Sequence, residues 1–232
     1  MAQDIKLNVE EMAQAGMNFG HRVSKLHPKM KPYVSSIKNN VNIIDLEKTA
    51  KDFEKALKFI SKLIAENKTL LFVGTKIQVR NLVKTTAEEC NLPYVTERWL
   101  GGTITNFETI QKRVEYFKDL EKKKVTGELE KYTKKERLMF DKELESLRVK
   151  FEGIKNMPKL PDAVFIFDIK KDEACAREAR IKQIKIVALC DTNINPEMAD
   201  YPIPANDDAI SSVKYILEKT KECIITNRNI KN

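Results

Sequence analysis

Three short, uninterrupted apolar runs constrain this chain most: Thr69–Val73, Ala163–Phe167 and Ile186–Leu189. A segment that is apolar at nearly every position, yet too short for a helix, reads as a strand covered on both faces. Helix-period segments follow them: Gln78–Cys90, Glu173–Ile181, and Asp207 to about Thr226. Alternation of this kind predicts a parallel sheet with helices on both sides. Further elements are a helix from Val9 to Gly16, a strand at Val41–Asp45 and a short strand at Tyr94–Thr96. Lys48–Glu66 is an amphipathic helix with Phe53, Leu57, Ile60 and Ile64 on one face. Phe19–Asn40 is expected to be irregular, because Pro28 and Pro32 interrupt it.

Phe107–Lys155 is different. It mixes 14 basic with 11 acidic residues, which marks solvated helix surface. Ile110, Val114, Phe117 and Leu120, then Leu138, Leu144 and Leu147, form a narrow apolar seam at helical spacing. Gly127 and Tyr132–Thr133 separate the halves, which predicts an antiparallel helical hairpin, a coiled coil that protrudes. The predicted fold is therefore a three-layer α/β body with a mainly parallel, Rossmann-like (flavodoxin-like) sheet. Its domain would be discontinuous, 1–104 and 156–232, with the hairpin inserted at 105–155.

Charge is segregated along the chain. The net charge is +8 and the pI about 9.1. Met12 to Ile44 holds no acid but carries Arg22, Lys25, Lys29, Lys31 and Lys38, with His21 and His27. Lys68 to Ala87 is likewise free of acids. Ile186 to Val213 holds no Lys or Arg but carries Asp191, Glu197, Asp200, Asp207 and Asp208. Such a two-poled field suits a polyanionic partner at one end. The acidic strip Asp191–Asp208 should face solvent or a protein partner.

Several classes are excluded. The longest apolar runs fall far short of the ~20 residues a membrane span needs. MAQDIKLNVEEMAQAG has neither the basic start nor the apolar stretch of a secretory leader, and its early acids disfavour a transit peptide. Cys90, Cys175, Cys190 and Cys223 are widely spaced, with no C-x-x-C, so idle thiols in a reducing compartment are expected.

In parallel sheets, functional loops lie at the carboxyl ends of the strands. Here those ends carry Gly74-Thr75-Lys76, Arg98–Thr103, Asp168 and Asp191. A glycine before a helix start can admit a phosphate, which offers one alternative, a nucleotide- and Mg-binding α/β enzyme using the Gly74–Lys76 loop. Mg²⁺ would then sit near Asp168, Asp191 or Asp207. Asp207 or Asp208 is equally placed to cap the last helix. Arg98-Trp99-Leu100-Gly101-Gly102 could grip a phosphate or stack on a base, or form a tight hinge over a packed Trp99.

Strings along the whole chain resemble the second small-subunit ribosomal protein family, of bacterial or organellar type. They include Gly20-His21-Arg22, Pro28-Lys29-Met30-Lys31-Pro32-Tyr33, Val73-Gly74-Thr75-Lys76, Arg98-Trp99-Leu100-Gly101-Gly102, Thr105-Asn106-Phe107, Glu178-Ala179, Asp191-Thr192-Asn193 and Tyr201-Pro202-Ile203-Pro204-Ala205-Asn206-Asp207-Asp208. Leu26 stands where that family commonly has Trp, His27 where it has Asn, and Ile169 where it has Pro.

The resemblance implies a non-enzymatic constituent of the small ribosomal subunit, on its solvent side near the head–body junction. It implies binding to small-subunit ribosomal RNA and contact with neighbouring proteins, including the first small-subunit protein, which the chain would help to anchor. It implies a cytoplasmic location, or an organellar stroma or matrix, with no membrane contact, no homo-oligomer and no cofactor. RNA contacts are then expected at Arg22, Lys25, Lys29, Lys31, Lys76, Arg80, Arg98 and Arg113. His21, Trp99 and Asn106 are expected either to touch RNA or to hold the fold.

Overall fold

The computed structural model describes residues 7–229. The first six residues, part of the MAQDIKLNVEEMAQAG stretch, lie outside it. Five parallel strands form the main sheet: β4 (Leu70–Val73), β5 (Tyr94–Val95), β6 (Ala163–Ile166), β7 (Lys185–Cys190) and β8 (Tyr201–Pro204). Their order is β5-β4-β6-β7-β8. In chain order this is 2-1-3-4-5, the flavodoxin-like arrangement, whose switch point lies between β4 and β6.

The apolar runs alternate between two cores. Leu70, Phe72, Phe165, Val187 and Leu189 face one helical layer, made of α1 (Val9–Gln14), α2 (Leu46–Ala65), α3 (Arg80–Glu89) and α7 (Ile210–Asn229). Leu71, Val73, Val164, Ile166, Ile186 and Ala188 face the other. That second layer holds α4 (Phe107–Val125), α5 (Lys134–Phe151) and α6 (Glu173–Ile181). The double-sided burial of each strand is what the continuous apolar runs require. All four cysteines are buried and unpaired. No helix among the described residues is long and apolar enough to cross a membrane.

α4 and α5 are joined through Gly127, which takes a left-handed φ of 75°, and a capping box starts α5 at Thr133 and Glu136. Glu121 pairs with Arg148, and Lys124 with Asp141. One number rises as the other falls, so the two helices run antiparallel. Val114, Phe117 and Leu120 of α4 and Leu144, Leu147 and Phe151 of α5 share the core of the second sheet face.

The expected irregular segment Phe19–Asn40 is corrected. It contains two strands, β1 (Phe19–Arg22) and β2 (Val34–Lys38), each antiparallel to β3 (Val41–Ile44). Pro28 and Pro32 both lie in the second of two 3-10 segments between them, Pro28–Tyr33, so neither interrupts a ladder. Asn39 and Asn40 take φ values of 50° and 63° between the paired Lys38 and Val41. That is a two-residue hairpin turn of the type asparagine favours.

Candidate functional site

The three-stranded sheet docks on the carboxyl ends of the main sheet. Gly20 makes the docking possible: a Cβ there would lie 2.5 Å from Thr192 Cγ2. The His21 amide donates to Thr192 Oγ1 at 2.8 Å, and the His27 amide to the Thr192 carbonyl at 2.8 Å. His21 Nδ1 lies 3.0 Å from Asp191 Oδ2, and its Nε2 lies 3.6 Å from Asp208 Oδ2. The Asp191 carboxylate raises the His21 pKa, against the opposing effect of burial. The protonated ring is thereby favoured as a bridge between the two sheets.

Beside it, Lys76 reaches from the end of β4. Its ammonium lies 2.6 Å from Asp208 Oδ1, 2.9 Å from Asp207 Oδ1 and 3.5 Å from Asp168 Oδ2, and donates to the Asp207 carbonyl at 3.0 Å. Burial disfavours the charged lysine, yet the Asp208 and Asp207 hydrogen bonds raise its pKa above the ordinary value. Burial, followed by the charges of Asp168 and Asp191, pushes Asp207 up to about 7. The Lys76 ammonium holds the Asp208 carboxyl below its usual range. Thr75 is tied to buried Asp172 through its hydroxyl at 2.8 Å and its amide at 3.2 Å.

The switch point is thus filled by the protein's own ion pairs. This corrects the alternative of a nucleotide enzyme. Lys76 is saturated with carboxylates, which would repel a phosphate. Gly74 is small for packing, since a Cβ there would meet Val83 of α3 at 2.9 Å. The expectation that the whole acidic strip faces outward is corrected too. Asp191 and Asp207 are buried, where His21 and Lys76 neutralise them, while Glu197, Asp200 and Asp208 stay exposed. Nor does Asp207 or Asp208 cap α7. The Asn206 side chain instead accepts from the amides of Asp208 and Ala209 at 2.9 and 3.2 Å. Of the carboxylates considered for Mg²⁺, Asp168 and Asp207 are turned toward Lys76. His21, Asp191 and Asp208 offer three donor atoms within 4.8 Å of one another. That imidazole-and-carboxylate set suits a divalent transition ion better than Mg²⁺.

The remaining expected contacts divide by environment. Arg22, Lys25 and Lys31 are exposed on the three-stranded sheet and its turns, as is Lys38, and none makes an ion pair among the described residues. Lys29, also exposed, is paired with Glu197. Arg80 is paired with Glu97 at 2.9 Å. Arg98, before α4, and Arg113, on α4, are exposed and unpaired among the described residues. Asn106 is exposed and accepts from the Thr109 hydroxyl at 2.9 Å. Trp99 is buried, with its indole N–H donated to Glu178 at 3.0 Å.

Two features of the site are not assigned from sequence: the Asn39-Asn40 turn, and the clamp made by Glu178, which enters only within the family string Glu178-Ala179. The Asn39-Asn40 turn had a usable signal, an Asn pair between two short β-prone segments. Glu178 had a fainter one, since it shares the inward face of α6 with Cys175 and Ala179 at helical spacing.

The five-stranded parallel sheet with flavodoxin-like strand order and a docked cationic three-stranded sheet place the chain in the α/β class. The family model for ribosomal protein S2 matches residues 12–227. Small ribosomal subunit protein uS2 of Coprothermobacter proteolyticus is 41% identical over 222 residues, covering 96% of this chain and 83% of that protein. Small ribosomal subunit protein uS2c of Rhodomonas salina is 45% identical over 223 residues, covering 96% and 92%. The chain belongs to the ribosomal protein S2 family. It is a structural constituent of the small ribosomal subunit, not an enzyme.

Proposed function

We propose that the chain is held on the small subunit by ribosomal RNA, through the three-stranded sheet and the loop at Arg98. The observation that carries this is the set of exposed cations Arg22, Lys25, Lys31 and Lys38, which have no ion-pair partner among the described residues. A free ammonium or guanidinium releases counterions when it meets a phosphate, without first breaking an internal pair. β2 supports the same reading. Ser35 to Lys38 are all exposed, including Ile37, although they lie in a paired strand. Contacts of this kind position a protein on RNA rather than read its sequence.

Lys76 and Arg80 then act within the fold, through Asp207 and Glu97, and Trp99 holds its loop through Glu178. Arg113 extends the cationic surface along α4. Anchoring of the first small-subunit protein, which the family resemblance implies, belongs to the same reading. The chain works as a single copy, on the solvent side near the head–body junction.

Lysine-reactivity footprinting of the free chain and of assembled subunits tests this. Assembly is expected to protect Lys25, Lys31 and Lys38 and to leave Lys214 on α7 reactive. Equal protection of all four would contradict it.

A further inference from the structure

The segment Arg98–Asn106 links β5 to α4, so it presents Arg98 and forms the root of the helical pair. One side chain organises it. Glu178, on α6, accepts from the Trp99 indole at 3.0 Å and from the amides of Gly102, Ile104 and Thr105 at 2.8, 3.0 and 3.0 Å. The Thr105 hydroxyl adds a bond at 3.1 Å. Gly102, at a φ of 92°, lets the chain turn so that these amides converge. Glu178 is only 9% exposed, and it makes no ion pair among the described residues.

A carboxylate has about four lone-pair sites, so five donors saturate it. Converging amides of this kind usually form a nest for an external anion. Here the nest is filled from within, so the loop is fixed before any ligand arrives. Arg98 is the neighbour of the clamped Trp99, exposed and without an ion pair among the described residues. An arginine on a fixed loop loses less freedom on binding than one on a mobile loop.

We propose that Glu178 is a positioning residue for RNA binding: by clamping Trp99 and the Gly102–Thr105 amides, it holds Arg98 in place to meet a phosphate of the ribosomal RNA. This rests on the assignment of Arg98 as an RNA contact. Glu178 itself stays under the protein surface.

The test is a double-mutant cycle on the full chain, with small-subunit ribosomal RNA as probe and affinity measured across a salt series. Arg98→Ala is expected to reduce the slope of log K against log salt by ~0.7–0.9, one phosphate contact. Glu178→Gln is expected to reduce it in the same way, and the double variant to lose no more than Arg98→Ala alone. Trp99 is the only tryptophan, so its quenching by acrylamide reads the clamp directly and is expected to rise in Glu178→Gln. Cooperative urea unfolding would show that the body persists.

If Arg98→Ala lowers the slope while Glu178→Gln leaves it unchanged, the positioning role is overturned. Additive losses would overturn it as well. If Arg98→Ala has no effect, the RNA assignment of Arg98 fails, and the proposal falls with it for a distinguishable reason. Thr105→Val removes one of the five donors and serves if Glu178→Gln does not fold. It is expected to give a smaller slope loss in the same direction, and no loss beside an active Arg98→Ala would overturn the proposal.

Discussion

Gly20 and Thr192 approach so closely that a Cβ on Gly20 would lie 2.5 Å from the Thr192 methyl carbon. This contact seats the cationic sheet on the end of β7, and the His21–Asp191 pair lies beside it. The acidic ends of the main sheet therefore act as the clamp for a basic flap. The two poles of charge seen in the sequence meet there instead of lying on separate surfaces.

Gly20→Ala should displace β1 from the strand ends. The expected cost is that of overpacking, ~1–3 kcal/mol, read as a lower urea midpoint. RNA affinity should fall with it, although no charge has been removed. Unchanged stability would show that the docking contact is dispensable.

Lys76→Met should be among the most damaging single changes. It leaves Asp207 and Asp168 buried without a cation, and breaking such a pair costs ~3–5 kcal/mol. Adding Asp207→Asn should recover part of the loss, because one stranded charge is gone. A double variant no more stable than Lys76→Met would count against this explanation.

Lys29 and Lys31 are two residues apart but should behave differently. Lys31 has no ion pair among the described residues, while Lys29 holds Glu197. Lys31→Gln is expected to flatten the salt dependence of RNA binding by ~0.7–0.9 in slope. Lys29→Gln should do less, since its pair must break before a phosphate is met. Equal slopes for the two variants would remove the distinction.

Glu178 carries a pH dependence of definite sign. Burial would raise its pKa, but the amides of Thr105, Gly102 and Ile104 and the Trp99 indole hold it below the ordinary 4.5. A lowered folded value means that its stabilisation is complete above the unfolded pKa. It is lost as the pH falls through the folded value, below 4.5. Acid unfolding followed by Trp99 fluorescence should therefore lose part of its pH dependence in Glu178→Gln. An identical acid profile would mean that the clamp contributes nothing to folding.

The three central strands of the main sheet were legible because they are buried on both faces, whereas the edge strand β8, Tyr201–Pro204, was not, because its two prolines argue against a strand. Leu70–Val73, Ala163–Ile166 and Ile186–Leu189 have no polar position, and such a pattern leaves few alternatives. The helices α2, α4 and α5 were legible from the spacing of their apolar residues. Of the three-stranded sheet only β3 was legible, as the alternating strand at Val41–Asp45; β1 and β2 were not, because they are short and β2 is exposed from Ser35 to Lys38, so no alternation marks them. The site was legible as residue types at strand ends, but not as pairings. That Lys76 turns inward to Asp207, and that Trp99 turns to Glu178, depends on contacts between residues 131 and 79 positions apart. Local sequence carries no record of such distances. Arg22, Lys25, Lys31 and Lys38 were easier, because a dense basic run without acids has few internal partners to find.

The most direct test of the central claim is co-sedimentation with small ribosomal subunits, through a gradient with enough salt to strip loosely bound basic proteins. Two chains should be compared: the unaltered protein and a Lys25→Gln/Lys31→Gln/Lys38→Gln variant shown by its urea midpoint to be folded. Stoichiometric retention of the first and loss of the second is the predicted result. Equal retention of both would show that the cationic sheet does not hold the chain on the subunit.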